Sequence, residues 1–359
     1  MYFMNKMYGF LYRESINYLT HKLDPIFGFA HLKPLVIWAS ITSSCNFRCR
    51  HCTLRHSQNY ELMFEEWKHI ISKFRSWLGP LYLSVTGGEP LLRKDALDII
   101  DYSNKIGIIT ELATNSYLVD KNIAEKIIKI ELDKLRISVD GIGKTHDHIR
   151  GVKGAFDRIE KSIKYINSMK QRHGSEKPKI YLGTTIMKCN LDEITEIVKF
   201  AEKNDCSVFL RPVLPYLSGG STKKCCTEGD IWPLDKDAIN RTIAALIEMK
   251  KGGFYIANSE INLRLIETYL KNPHVNFKKL RLGCGAPFRT LKIKSNGDLY
   301  VCNIKLGSAL KDNIAIIRRN LKRANMSLEN CDRACRFEAD LDERLIDKFN
   351  RARGILFKA

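Results

Sequence analysis

Ile41 to His56 reads I-T-S-S-C-N-F-R-C-R-H-C-T-L-R-H, and it continues an apolar run, L-V-I-W-A-S-I, that begins at Leu35. Cys45, Cys49 and Cys52 stand at C-x3-C-x2-C spacing. Thiolates this close in sequence can converge on one metal centre, and three of them on an iron–sulfur cube leave one iron without a protein ligand. An open position on a metal is where a substrate or cofactor binds. His56 follows closely enough to complete a Cys3His set, so the triplet alone also admits structural zinc.

Composition sets the surroundings of that stretch. The chain of 359 residues is 44% hydrophobic and 28% charged, which is globular rather than disordered, and long enough for two domains or one with an appendage. It contains no run of 18 apolar residues, so nothing is expected to span a membrane. The N-terminus, M-Y-F-M-N-K-M-Y-G-F-L-Y-R-E, lacks the order of a secretory signal, and a cytoplasmic protein is the expectation. Eleven cysteines without such a signal argue for metal or redox chemistry over a disulfide framework. The formal net charge of +19 would suit nucleic acid, a membrane surface or acidic small substrates, but the lysines are spread rather than gathered in one block.

Residues 1–34 are rich in aromatics and are expected to form one or two helices laid against an open edge of the main domain. Membrane-surface binding or dimerisation is the alternative for this segment. From Leu35 onward, short apolar strands alternate with helix-patterned segments near 62–77, 94–106, 120–130, 154–172, 191–204 and 236–251. Six strand–helix pairs predict an α/β fold with a parallel sheet and helical crossovers, either doubly wound or an incomplete barrel. Active sites in such folds lie at the carboxyl ends of the strands, where the cysteine loop falls.

The other strand-end loops carry polar groups. After the second strand comes T-G-G-E-P, where Gly87 and Gly88 permit close backbone approach and Glu89 offers a carboxylate for an amino group. A-T-N-S follows the third strand and S-V-D-G the fourth, with H-D-H-I-R-G after it. Ser138 and Asp140 are placed to hydrogen-bond a polar ligand, and Arg150 to pair with a carboxylate. His146 and His148 read as a helix cap or solvent-facing residues rather than metal ligands.

Beyond Gly252 the pattern changes. A helix near 260–271 leads to the strands R-T-L-K-I-K and L-Y-V-C, joined through Ser295–Asp298 as a hairpin, with another helix at about 312–325. Cys284, Cys302, Cys331 and Cys335 flank these elements and together make a four-thiolate site for zinc or a second cluster. Cys225 and Cys226, in a loop at the mouth of the site, are candidates for hydrogen-atom donation or ligation. Cys189 and Cys206 read as buried small hydrophobes. Lys271 to Gly297 holds seven Lys or Arg and no acid, which predicts an acidic substrate.

Taken together, these motifs resemble the radical S-adenosylmethionine (radical SAM) superfamily: C-x3-C-x-aromatic-C after strand one, with His51 in the aromatic position, and G-G-E-P after strand two. S-V-D-G and H-D-x-x-R-G-x-x-G-A-F are similar to the branch containing peptide and cofactor maturases. C-x12-G-x4-C followed by C-x3-C is similar to twitch or SPASM extensions, with fewer cysteines than a full SPASM domain.

The resemblance implies a partial (β/α)6 TIM-like barrel over 35–252, preceded by the 1–34 extension and followed over 253–359 by a small α+β cluster-binding domain. It implies a [4Fe–4S] cluster on Cys45, Cys49 and Cys52, with exchangeable S-adenosyl-L-methionine on the open iron. Gly87, Gly88 and Glu89 would receive its amine, Arg150 with Ser138 its carboxylate, and Asn115 and Asp140 its ribose. Cys284, Cys302, Cys331 and Cys335 would hold one auxiliary [4Fe–4S] cluster, with structural zinc as the alternative. Where the family often reads T-N-G, Ser116 is expected to change the backbone angles of its loop.

The implied activity is reductive cleavage of S-adenosylmethionine to a 5′-deoxyadenosyl radical, with flavodoxin or ferredoxin as electron donor. The radical would oxidise or crosslink a peptide or a small biosynthetic intermediate; dehydrogenation or epimerisation of a sugar-like or acidic cofactor precursor is the alternative. A zinc-stabilised nucleic-acid-binding protein is the reading from a different class. It leaves six βα units and the G-G-E-P and H-D-x-x-R-G loops without a use.

Overall fold

The computed structural model describes residues 33–52, 60–214, 231–273, 275 and 289–328. Six strands alternate with helices: β1 Val36–Thr42, α1 Phe64–Leu78, β2 Tyr82–Gly87, α2 Ala96–Lys105, β3 Ile109–Thr114, α3 Lys121–Lys129 and β4 Lys134–Ser138. Then follow α4 Lys144–Arg150, α5 Ala155–His173, β5 Lys179–Ile186, α6 Ile194–Lys203, β6 Ser207–Pro212, α7 Lys236–Lys251 and α8 Glu260–Lys271. The last described elements are β7 Thr290–Ile293, β8 Asp298–Val301, β9 Ile304–Ser308 and α9 Ile314–Leu328.

The sheet order is β6-β5-β4-β3-β2-β1-β7-β8-β9, and the first six strands are mutually parallel in chain order. Sequential parallel strands with right-handed crossovers bring their helices to one face. The side chains agree. Ile37, Ala39 and Ile41 of β1 join Leu83, Leu112, Leu135, Leu182 and Val208 in one apolar core. In α1, Trp67, Ile70, Ile71, Phe74 and Leu78 repeat at helical spacing and are all buried. Each such side chain contributes roughly 1.5–3 kcal/mol by leaving water. The opposite face carries the alternate residues, among them Trp38, Tyr82, Ser84 and Glu111. There Glu111 accepts hydrogen bonds from Tyr82 (2.7 Å) and Ser84 (2.7 Å) and pairs with Arg136 at 2.9 Å.

Helix and strand positions match the sequence reading within a few residues, with informative exceptions. The H-D-H-I-R segment is a separate helix, α4, which ends at Gly151 in the left-handed region (φ 69°) before α5 begins. The C-terminal strands do not stand apart from the barrel sheet: β7 pairs in parallel with β1, and β8 and β9 continue antiparallel. Strand β9 was not expected. Cys206 is buried as expected, but Cys189 is exposed, because it sits on the short 3-10 turn Lys188–Glu193 instead of in a strand. Residues 1–32, His56, Cys225, Cys226, Cys284, Cys331 and Cys335 lie outside the described residues. Among the described residues, no helix is long and apolar enough to cross a membrane.

Candidate functional site

The loop after β1 begins at Ser43 and is anchored on three sides. At its root, Glu61 Oε1 accepts hydrogen bonds from the Ser43 amide (2.8 Å) and the Thr42 hydroxyl (2.8 Å). Arg93 donates to the Ile41 and Leu62 carbonyls, both at 2.9 Å. On a second side, the amides of Arg48 and Arg50 donate to the carbonyls of Arg150 and Ile149 at the end of α4. On the third, Phe47 is buried edge-on against Tyr117, ring centres 5.6 Å apart.

Gly87 and Gly88 lie directly against this loop. The Gly88 and Glu89 amides donate to the Thr42 and Ser44 carbonyls at 2.9 and 2.8 Å. A Cβ on Gly88 would stand 2.0 Å from the Ser44 oxygen, and one on Gly87 2.3 Å from the Thr42 oxygen. Only glycine permits that approach.

Glu89 itself is 1% exposed. Its Oε1 accepts from Thr114 Oγ1 (2.7 Å) and the Leu91 amide (3.1 Å), and its Oε2 from the Asn115 amide (2.7 Å). Burial raises its pKa above the usual carboxylate value, although these donors pull it down. A carboxylate has about four lone-pair sites, so three donors leave room for about one more, such as an amine. The Asn115 side chain donates to Asn46 Oδ1 at 2.8 Å, beside Cys45, and so braces the cysteine loop. Ser116 takes φ 58°, the left-handed conformation a glycine would favour, so the loop accommodates serine there.

Asp140 and Arg150 form the second polar centre. Asp140 is fully buried; its Oδ1 accepts from the Thr185 amide (2.8 Å) and its Oδ2 stands 2.7 Å from Arg150 Nη2. Burial opposes the Asp140 charge, but Arg150 and the surrounding donors win and hold its pKa below the usual value. Arg150 Nη1 donates to Cys49 Sγ at 3.7 Å. Arg150 and Asp140 are thus ion-paired with each other, while Asp140 Oδ2 and Arg150 Nε are both buried without a hydrogen-bond partner among the described residues. Ser138, half-buried, closes β4 opposite Gly183.

His146 differs from the sequence reading, and His148 agrees with it. His146 is buried, with Nδ1 accepting the Asp140 amide at 3.2 Å, and burial holds its pKa down at about 4. His148 is exposed and meets Arg50. His51 places Nε2 3.7 Å from Asp140 Oδ2; burial lowers its pKa to about 4, so the ring is neutral.

The three thiols share one electrostatic environment. Burial raises the pKa of Cys45, and Cys49, Glu89 and Cys52 raise it further, while the Phe47 amide donates to its sulfur at 3.4 Å. Cys49 is raised by burial and by Cys52, against the pull of Arg150. Thiolates gathered in this way repel one another until a cationic centre binds them, which suits an iron–sulfur group. Among the described residues, no three Cys, His, Asp or Glu side chains converge on a position for a single metal ion. Nothing in the spacing pointed to Glu61, Arg93 or Tyr117 as supports of the loop; the one available signal was Arg93 shortly after G-G-E-P.

The radical SAM superfamily model matches residues 39–201. Over 176 residues the chain is 33% identical to the Fe-coproporphyrin III synthase of Methanosarcina barkeri, covering 48% of this chain and 41% of that protein. Over 212 residues it is 29% identical to the pre-heme d1 synthase of Dinoroseobacter shibae, covering 58% and 50%. The chain thus spans about half the length of the curated relatives it matches. In fold it is similar to Streptococcus suis SuiB bound to S-adenosylmethionine, with a TM-score of 0.61 at 21% identity, covering 79% of this chain and 64% of that one. Residues 39–201 are thus identified as a radical SAM domain, the part of the chain that carries the cysteine loop, the Gly87–Glu89 turn, Asp140 and Arg150.

Proposed function

We propose that this chain reductively cleaves S-adenosylmethionine and uses the resulting radical to oxidise or crosslink a peptide or a small biosynthetic intermediate. The observation that carries the reading is the lacing of the cysteine loop to Gly88 and Glu89, with Arg150 donating to Cys49 from the other side. A reduced cluster, when bound, would supply one electron to the sulfonium of S-adenosylmethionine, breaking its C5′–S bond to give methionine and a 5′-deoxyadenosyl radical.

The protein's own residues supply placement. Cys45, Cys49 and Cys52 would hold three irons, and the remaining lone pair of Glu89 would receive the amine of the methionine moiety. Asn115 and Phe47 keep the loop from shifting: Asn115 ties Asn46, and Phe47 is wedged against Tyr117. Asp140 fixes Arg150, which in turn holds Cys49. A carbon radical abstracts hydrogen from most C–H bonds it meets, so rigid walls and exclusion of water decide which bond reacts. Cys302, half-buried with φ 50° in the turn after β8, would join Cys284, Cys331 and Cys335 on one auxiliary [4Fe–4S] cluster. Such a cluster could accept the electron left on a substrate radical in a net two-electron oxidation. The relatives named as synthases of Fe-coproporphyrin III and pre-heme d1 support a small intermediate as the substrate.

The test is anaerobic reconstitution with iron and sulfide, reduction by dithionite, and chromatography for 5′-deoxyadenosine. The wild type should release it from S-adenosylmethionine and Cys49→Ala should not. Equal behaviour of the two proteins would sink the proposal.

A further inference from the structure

The sheet face away from the helices holds a charged pair that the chemistry above leaves unused. Glu111 of β3 is buried, and Arg136 of β4 reaches it with Nη2, 2.9 Å from Oε1. The same Nη2 donates to Ser84 Oγ of β2 at 3.3 Å. Arg136 is level with Ala113 of β3, so its side chain crosses that strand where an alanine leaves it room. Its stem also occupies the space left by Gly183 of β5, where a Cβ would stand 3.3 Å from both Cγ and Cδ of Arg136. Nearer the carboxyl ends of the strands, the same face carries Ser40, Thr86, Ser138 and Thr185, all short and all half-buried. Gly88, which meets the Ser44 carbonyl, lies four residues past Ser84, on the order of 13 Å along an extended strand. Arg136 therefore stands at the floor of this face, with the depth of a small molecule between it and the cysteine loop.

A pair serving the fold alone would close best as a fork, two N–H groups on two oxygens. This guanidinium is held by one corner. Glu111 Oε2 accepts from the Tyr82 hydroxyl (2.7 Å), and Oε1 from Ser84 (2.7 Å) as well as from Nη2, so hydroxyls take the places a fork would use. A guanidinium carries five N–H donors. Nη2 makes both of the Arg136 contacts, and Nε and Nη1 have no protein partner among the described residues. Arg136 is half-buried, so those donors keep water until an anion replaces it with charge-assisted bonds. Burial opposes the charge of Glu111, but Arg136 and the two hydroxyls hold its carboxyl below the usual value. It stays ionised and keeps the guanidinium oriented.

We propose that Arg136 receives a carboxylate of the substrate through Nε and Nη1, and so selects substrates that carry one. This rests on the radical SAM reading for its place in the reaction, but the binding itself is measured apart from it. A planar carboxylate matches the two donors and brings one negative charge beside Glu111, whereas a phosphate would bring up to about two. Succinate, glutarate and adipate are the probes, with their diamides as neutral matches. Each is titrated into the anaerobically reconstituted full chain in the presence of S-adenosylmethionine and followed by saturation-transfer NMR; triglutamate and inorganic phosphate serve as comparisons.

At least one dicarboxylate should bind and its diamide should not. Arg136→Gln should weaken that binding by about ten-fold or more. Glu111→Gln keeps Arg136 and removes the competing carboxylate, so it should bind as tightly as the wild type or more tightly. The double variant with both substitutions leaves neither charge of the pair without its partner, and it should fold and still lose the binding. Lys251→Gln on the outer surface of α7 should change nothing. Equal binding of the diamides, equal weakening by Arg136→Gln and Glu111→Gln, or no binding of triglutamate or any dicarboxylate overturns the proposal. Tighter binding of inorganic phosphate overturns it in favour of a phosphorylated substrate. Triglutamate binding that Arg136→Gln abolishes supports it and makes an acidic peptide the source of the carboxylate. Failure of the wild type to release 5′-deoxyadenosine would overturn the catalytic reading instead, whatever the titrations show.

Discussion

Arg150 divides one guanidinium between Asp140, 2.7 Å from Nη2, and the sulfur of Cys49, 3.7 Å from Nη1. Both members of the ion pair are buried, so neither charge has water to fall back on. Two consequences follow from the same bond geometry, one for the fold and one for the metal centre.

Replacing Arg150 with Met leaves Asp140 buried and unpaired, a change that typically costs about 3–5 kcal/mol. Chemical denaturation should show a loss of that order. Arg150→Lys should fare better for stability, since it retains the charge, but a point-like ammonium cannot serve both partners with the same fork. On reconstituted protein, if Cys49 ligates the cluster as proposed, removing a cation and an N–H donor from its sulfur should lower the cluster's midpoint potential by on the order of tens of millivolts. An EPR-monitored redox titration reads this directly, and an unchanged potential in both variants would separate Arg150 from the cluster.

Gly88→Ala tests the lacing of the two loops. The added methyl would meet the Ser44 carbonyl at 2.0 Å, so either the loop or the β2 end must move. Because Cys45 follows Ser44 immediately, movement there would displace a cysteine proposed to ligate the cluster. Iron content after reconstitution should fall well below that of the wild type, while circular dichroism keeps the α/β signature. A variant that loads iron normally would show that the close approach is dispensable.

The buried His146 makes stability depend on pH. Its pKa is held at about 4 by burial and by Arg150, against an ordinary value of 6.5, so the folded chain keeps it neutral. Between those values the unfolded chain binds more protons, and stability therefore rises with pH. The contribution is fully present above about 6.5 and is lost as pH falls toward about 4, an effect on the order of 3 kcal/mol. In the apoprotein, His146→Gln, which keeps an acceptor for the Asp140 amide, should flatten that slope by up to one proton. An identical slope would assign the dependence to other groups.

The chain order of strands and helices was legible because each strand is a short apolar run and each helix repeats its apolar residues at 3.6 spacing, as Trp67, Ile70, Ile71 and Phe74 do in α1. The cysteine triplet and the glycine pair were legible because their chemistry is local in sequence. What the sequence hid is pairwise and distant. Glu61 serves Ser43, Arg150 serves Cys49 a hundred residues upstream, and Asp140 accepts from the Thr185 amide on the next strand. Nor does anything in T-L-K-I announce that β7 will lie parallel to β1, because edge pairing depends on where the preceding helices deliver the strand.

The last prediction concerns the C-terminal cysteines, of which Cys302 marks the position in the fold. It follows β8 in the left-handed conformation at φ 50°, so the chain turns at the cysteine before β9 returns along β8. A non-glycine residue held there carries strain that ligation by a metal would offset. If Cys284, Cys302, Cys331 and Cys335 share an auxiliary [4Fe–4S] cluster, the wild type should bind about eight irons and Cys302→Ala about four. Cleavage of S-adenosylmethionine should persist in that variant, because the N-terminal cluster is untouched, while formation of an oxidised product should be lost. A wild-type protein with about four irons and one zinc would replace the second cluster with a structural zinc site, and the electron left on the substrate would then need another acceptor.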